Sequence, residues 1–159
     1  LVRDIFIDLG MFDKFDQYFN DLYEYFANEA WDVYPDTIPT LKRLKDIGFN
    51  VVITSNFDSR IYDVCKKFEI NQFVDHFTIS SESGYSKPDK ELFYLSLKKV
   101  QAKTFESIHV GDNYNLDYVP STEIGMKSIL IDRGNEFDKE IDICISRDFS
   151  KIFEVINES

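Results

Sequence analysis

The fold is decided by residues 49–58, which read FNVVITSNFD. The first six are apolar nearly throughout, as expected of a strand that is covered on both faces of a parallel sheet. Polar residues follow at once at Ser55, Asn56 and Asp58, where the strand would turn into the next element. Ligands of open α/β sheets bind at the carboxyl ends of the strands, so this turn is a candidate anion site. The alternative is that Ser55 and Asn56 are helix caps.

Helical and strand patterns alternate along the rest of the chain. Strands are expected near 77–79, 107–110, 127–131 and 143–145, and helices over 58–67, from Pro88 onward, over 117–124 and at the C-terminus. Alternation of this kind is typical of right-handed βαβ units around a parallel sheet. The fold class is therefore expected to be α/β.

Composition limits the partners of the chain. Its 159 residues suit one domain, and 43% of them are apolar. The 18 Lys and Arg against 29 Asp and Glu leave a net charge of −11, which disfavours nucleic acid and anionic membrane surfaces. Two isolated thiols, Cys65 and Cys144, fit a reducing compartment, so a cytoplasmic location is expected. Because the first residue is Leu1 and not Met, the sequence leaves open whether a targeting segment precedes it.

The N-terminal region is acidic and aromatic. Residues 1–36 hold nine acids and two bases, and aromatic side chains recur at three- and four-residue steps at Phe12, Phe15, Phe19, Tyr23 and Phe26. This spacing predicts a helix. The helix either belongs to the core or packs against helices outside this chain.

A second polar turn spans residues 84–89 and contains Lys87 and Pro88. Proline fixes the backbone beyond Lys87 and is expected to begin a helix, so the ammonium would be held at a defined position. A lysine held in this way can neutralise a phosphoryl group or a carboxylate. The alternative is an ordinary surface lysine.

A third polar turn, residues 111–117, reads GDNYNLD and follows the strand that contains His109. Asp112 and Asp117 can face one another across it, and a hard divalent cation such as Mg²⁺ relieves the repulsion between two such carboxylates. Helix capping by aspartate is the alternative. His109 itself is expected to be a satisfied core histidine.

Together, Ser55, Lys87 and the Asp112/Asp117 pair resemble motifs II, III and IV of the haloacid dehalogenase superfamily. The resemblance covers about residues 32–133. The strings SNFD at 55–58, KPD at 87–89 and HVGDN at 109–113 are most similar to the haloacid dehalogenase-like hydrolase domain-containing subgroup.

The resemblance implies a Rossmann-like parallel sheet flanked by helices and a Mg²⁺-dependent phosphatase acting on small phosphate esters through an aspartyl-phosphate. By this resemblance Ser55, Asn56 and Lys87 would bind the phosphoryl group. Lys87 and Asp117 would be catalytic, with Asp117 supporting the lysine or the metal shell. Asp112 and Asp117 would be the metal ligands.

The chain departs from the family at motif I, which reads roughly as four apolar residues followed by Asp-x-Asp-x-Thr. The nearest stretch is residues 5–10, with Asp8, but its apolar residues follow helical spacing. Residues 1–31 are therefore expected to be a partial helical cap, and residues 32–159 a core without the motif I strand and its nucleophile. The alternative is that Asp8 belongs to a degenerate motif I.

This departure has three expected consequences. The chain alone should be inactive and bind Mg²⁺ weakly. The motif I strand of the family lies mid-sheet, so two sheet edges would be left unpaired, and rearrangement or pairing with another chain would fill the slot. Self-association would use that incomplete sheet or the aromatic helix.

Two alternative functions stay open from the sequence. One is a metal-independent hydrolase that cleaves carbon–halogen bonds of 2-haloacids. The other is a pseudoenzyme or interaction module that lacks the nucleophile and binds through its acidic aromatic face.

Overall fold

The structure is a computed structural model that describes residues 4, 7–28, 31–137 and 143–158. Its strands form two parallel sheets. The first pairs β1 (Val52–Ser55) with β2 (His76–Ile79), and the second has the order β3 (Ile108–Gly111), β4 (Lys127–Ile131) and β5 (Ile145–Ser146). The predicted α/β class with a parallel sheet is confirmed.

Helices connect and flank these strands. They are α1 (Phe15–Asn28), α2 (Thr37–Asp46), α3 (Arg60–Lys67), the short α4 (Ser80–Ser83), α5 (Lys90–Val100), α6 (Val119–Glu123) and α7 (Ser150–Asn157). Single 3₁₀ turns lie at Phe12–Lys14, Ile70–Phe73 and Thr104–Glu106, and a π-helical turn at Tyr114–Tyr118 precedes α6. Within the described residues, no helix is both long enough and apolar enough to cross a membrane.

The helix expected to begin at Pro88 begins two residues later, so that prediction is wrong in its boundary. Asp89 is the N-cap of α5, and its carboxylate accepts a hydrogen bond from the Glu91 N–H at 3.0 Å. An aspartate satisfies a free N–H of the first turn, which proline at the same position would not do. Pro88 and Lys87 therefore lie in the loop ahead of the helix.

Buried apolar side chains hold each sheet against its helices. Ile79 of β2 and Leu92 and Phe93 of α5 are at most 1% exposed. On the second sheet, Ile129 packs in a cluster with Ile152 of α7. Burial of such side chains is worth about 1.5–3 kcal/mol each, so these contacts set the positions of the strand ends.

A groove separates the two sheets. β1 pairs with β2 and β3 pairs with β4, and in the part of the chain that the structure describes nothing pairs with the facing edges of β1 and β3. The groove has a volume of about 580 Å³ and is lined by both strands and by residues of α2, α5 and α7. The rearrangement expected to fill this slot is not seen among the described residues, and its pairing with another chain stays a prediction.

The aromatic N-terminal helix packs against α3 and leaves several large side chains exposed. The guanidinium of Arg60, at the start of α3, lies 5.6 Å from the ring centre of Tyr23. Phe19 and Tyr25 are each 52% exposed. Ile7 and Asp8 are helical, in agreement with the helical spacing and not with a motif I strand. The division into a cap before residue 32 and a core after it stays a prediction.

Candidate active site

Lys87, His109 and Asp117 meet at the carboxyl ends of the strands. The Lys87 Nζ lies 2.6 Å from Asp117 Oδ1, and His109 Nε2 lies 2.9 Å from the same oxygen. All three side chains are largely buried, with 14%, 12% and 3% of the Lys87, His109 and Asp117 side chains exposed. The structure thus brings together two residues that the sequence placed in one site. It adds His109, which was expected to belong only to the core.

The environment of Asp117 keeps its carboxyl group ionised. Burial by itself would raise the pKa of Asp117, but hydrogen bonds from His109 and Lys87 and the charge of Lys87 outweigh burial. The net effect lowers the pKa of Asp117 below its ordinary value. A buried carboxylate of this kind can hold a lysine ammonium in place, because its charge is stabilised by partners that the fold has already positioned.

Gly111 allows Asp117 to sit where it does. A Cβ atom on residue 111 would lie 2.3 Å from the Asp117 Cγ, far inside van der Waals contact. The π-helical turn that holds Asp117 is capped by Asn113, whose side-chain oxygen accepts from the N–H groups of Asn115 and Leu116. Glycine and cap together place a carboxylate at the end of β3.

The turn after β1 is joined to the Lys87 loop by Asn56. Asn56 Nδ2 donates to the Lys87 carbonyl oxygen at 2.9 Å, and the Lys87 N–H donates to Asn56 Oδ1 at 2.6 Å. Ser55, the last residue of β1, precedes Asn56 and is half-buried. Two of the predicted phosphate-binding loops are therefore adjacent in space, whereas the contact of either Ser55 or Asn56 with phosphate stays a prediction.

The described residues do not make a magnesium site by themselves. Asp112 is exposed, whereas Asp117 already accepts from Lys87, His109 and the backbone N–H of Asn113. No group of three or more His, Cys, Asp or Glu side chains suited to a metal ion occurs within the described ranges. The contacts of Asp117 fit its expected support of Lys87. A metal role for Asp112 needs further ligands.

A protein-family model described as haloacid dehalogenase-like hydrolase matches residues 5–119. The chain belongs to this family. The haloacid dehalogenase resemblance predicted from the three turns is therefore confirmed, and the match includes the candidate site from Ser55 to Asp117.

Relatives in this family carry two kinds of name. The haloacid dehalogenase-like hydrolase domain-containing protein 3 of Danio rerio is 30% identical over 146 residues, which are 90% of this chain and 60% of that protein. The glyceraldehyde 3-phosphate phosphatase of Methanocaldococcus jannaschii is 36% identical over 110 residues, which are 69% of this chain and 48% of that protein. The chain thus spans about half the length of the curated relatives it matches.

Solved structures show the same fold. A haloacid dehalogenase family phosphatase from Thermococcus onnurineus superposes with a TM-score of 0.74 at 22% identity, covering 79% of this chain and 58% of that one. A 2-haloacid dehalogenase from Pseudomonas syringae superposes with a TM-score of 0.73 at 20% identity, covering 92% and 64%. The helix-flanked parallel sheet is therefore that of the haloacid dehalogenase fold.

Proposed function

We propose that this chain is the larger part of the catalytic domain of a phosphatase that acts on small phosphate esters. The observation that supports it most directly is the Lys87 ammonium, held by buried Asp117 beside the turn that follows Ser55. A preorganised cation at the ends of parallel strands suits a phosphoryl group. Relatives named glyceraldehyde 3-phosphate phosphatase and ribulose-1,5-bisphosphate 5-phosphatase point to the same substrate class.

Three residues have distinct roles in this proposal. Lys87 neutralises the charge that the phosphoryl group and its nucleophile share. Ser55, at the end of β1, donates its hydroxyl proton to a phosphoryl oxygen. Asp117 contacts neither the phosphoryl group nor the nucleophile, and it keeps the Lys87 side chain extended and charged. Because the ammonium is oriented before the substrate arrives, little reorganisation is needed as charge develops in the transition state.

The nucleophile, in this proposal, lies on a strand that enters the groove between β1 and β3 from outside the 159 residues. It is supported by the groove of about 580 Å³ and by the facing edges of β1 and β3, which pair with no other strand of the described residues. An aspartate on that strand would attack phosphorus and break the ester P–O bond, and the second aspartate of the motif would protonate the leaving oxygen to give the alcohol. The second aspartate would then take a proton from the water that hydrolyses the aspartyl-phosphate to inorganic phosphate. When bound, Mg²⁺ would stabilise charge on the phosphoryl oxygens, and Asp112 is the ligand that this chain would contribute.

The experiment measures hydrolysis of p-nitrophenyl phosphate by the protein that includes this chain and the strand. We expect Mg²⁺-dependent turnover, reduced at least about 100-fold by Lys87→Ala and by Asp112→Asn, since each removes charge stabilisation from the transition state. Lys99→Ala on α5 is the matched control and should retain activity. Turnover that survives Lys87→Ala, or release of halide from 2-chloropropionate without metal, would contradict the proposal.

A further inference from the structure

Asn56 and Lys87 form a closed pair of hydrogen bonds between two loops. The amide oxygen of Asn56 accepts from the Lys87 N–H at 2.6 Å, and its amide nitrogen donates to the Lys87 carbonyl at 2.9 Å. The two residues are 31 positions apart in the sequence, on the turns that follow β1 and precede α5. Asn56 thus binds the main chain of Lys87 as a neighbouring strand would.

We propose that Asn56 is a positioning residue, which acts on the phosphoryl group through Lys87 and not by direct contact. The inference rests on the proposed function, because it assigns Lys87 to the phosphoryl group. Lys87 is held at both ends, its backbone by Asn56 and its Nζ by Asp117 at 2.6 Å. A free lysine side chain loses rotamer entropy when it is fixed, and here the fold fixes it before a ligand binds.

The hydrogen bonds of the amide group favour this role, because they leave it a single N–H for a direct phosphate contact. A carboxamide oxygen is an acceptor only and cannot bond a phosphoryl oxygen, and here it already accepts from Lys87. The amide nitrogen has two N–H groups, of which one donates to the Lys87 carbonyl. The two hydrogen bonds with the Lys87 main chain therefore orient the Asn56 side chain, with the amide nitrogen at the carbonyl and the amide oxygen at the N–H.

Binding of inorganic phosphate to the 159-residue chain, followed by ³¹P NMR, distinguishes the two roles through a double-mutant cycle. If Asn56 acts through Lys87, Asn56→Ala weakens phosphate affinity about 5- to 10-fold in the unaltered chain, and less than 2-fold in a Lys87→Met background. If Asn56 contacts phosphate itself, Asn56→Ala weakens phosphate affinity by the same factor in the unaltered chain and in the Lys87→Met variant. That result would overturn the proposal. Asn71→Ala, an exposed asparagine ahead of β2, is the matched control.

Hydrogen exchange of the Lys87 amide tests the bridge independently of phosphate. Asn56→Ala should accelerate this exchange at least about 10-fold, since the N–H loses its acceptor, while exchange in the middle of α5 stays unchanged. If the unaltered chain binds no phosphate, the proposed function is contradicted at its binding step. If exchange of the Lys87 amide is not accelerated in Asn56→Ala, the positioning role of Asn56 is overturned, whether or not phosphate binds.

Discussion

At the scale of single residues, the site depends on how closely Asp117 approaches the backbone of β3. The Asp117 Cγ would lie 2.3 Å from a Cβ on residue 111, so that only glycine fits there. The same carboxylate accepts from the Lys87 ammonium and from His109 Nε2. The glycine of the third polar turn therefore has a packing role as well as a place in the family motif.

Gly111→Ala should break the Lys87–Asp117 ion pair and destabilise the chain by about 3 kcal/mol, because a buried charge loses its partner. Urea denaturation measures this change in the free energy of unfolding. Gly134→Ala is the matched control, since its added Cβ would meet only the flexible side chain of Glu136, at 3.0 Å. Equal midpoints for Gly111→Ala and Gly134→Ala would contradict the explanation.

Asp36 links the start of α2 to the loop after β4 and to the start of α7. Its carboxylate accepts from Arg133 at 2.9 and 3.0 Å and from the Phe149 N–H at 3.0 Å. Burial tends to raise the pKa of Asp36, but the bonds from Arg133 and Phe149 prevail and lower it below its ordinary value of 3.8. A folded-state pKa below the unfolded one stabilises the protein above the unfolded pKa, and this contribution is lost as pH falls through the folded pKa.

Asp36→Asn should therefore be about 1 kcal/mol less stable than the unaltered chain at pH 7, with the difference shrinking below about pH 4. Urea midpoints at pH 7, 5 and 3 measure it. Asp46→Asn, at the end of α2, serves as the control for loss of one carboxylate from this acidic chain. A difference that is the same at pH 7 and pH 3 would show that the carboxylate charge of Asp36 is not what stabilises the fold.

At the scale of elements, the sequence predicted strands better than the turns that complete the site. The strand expected over 127–131 is observed at those residues, because a run of apolar residues buried on both faces has a clear pattern. The helix expected over 117–124 is instead a π-helical turn followed by α6. A π-turn depends on the partners of Asp117, which come from other parts of the chain, so local spacing could not predict it.

His109 and Asn56 illustrate what the sequence could not supply. His109 has the spacing of a buried strand residue, and only the packing of Asp117 against Gly111 brings its ring into the site. The Asn56 side chain bonds the main chain of Lys87, 31 positions away in the sequence. Because every residue has the same main-chain carbonyl, the sequence gives no signal of this contact. The sequence could bring Lys87 and Asp117 into one site, because their motifs lie in a loop and at a strand end on the same side of the predicted sheet.

The side-chain cap of the π-turn can be removed by a substitution that leaves Asp117 and its bond from the Asn113 N–H in place. Asn113→Ala deletes the oxygen that accepts from the Asn115 and Leu116 N–H groups, and should cost about 1 kcal/mol of stability. It should also weaken phosphate binding, because the turn positions the partner of Lys87. Urea midpoints and the ³¹P titration measure both effects, with Asn115→Ala as control. An unchanged midpoint would mean that the cap does not stabilise the turn.

At the scale of the whole molecule, a groove separates the two-stranded sheet from the three-stranded sheet. The edges of β1 and β3 face a groove of about 580 Å³, and buried backbone groups without partners cost about 1–3 kcal/mol each. A parallel strand added there would pair with both edges and join the sheets. We propose that this groove receives the strand that bears the nucleophile.

Amide hydrogen exchange on β1 and β3, with and without a synthetic peptide of four apolar residues followed by Asp-x-Asp-x-Thr, tests that claim most directly. We expect the peptide to slow exchange at Thr54 and Val110 at least about 10-fold, because the N–H groups of both residues point away from β2 and β4 toward the open edges that it would cover. Ile145 of β5 is the internal control and should not change. Unaltered exchange at Thr54 and Val110 under saturating peptide would contradict this proposal.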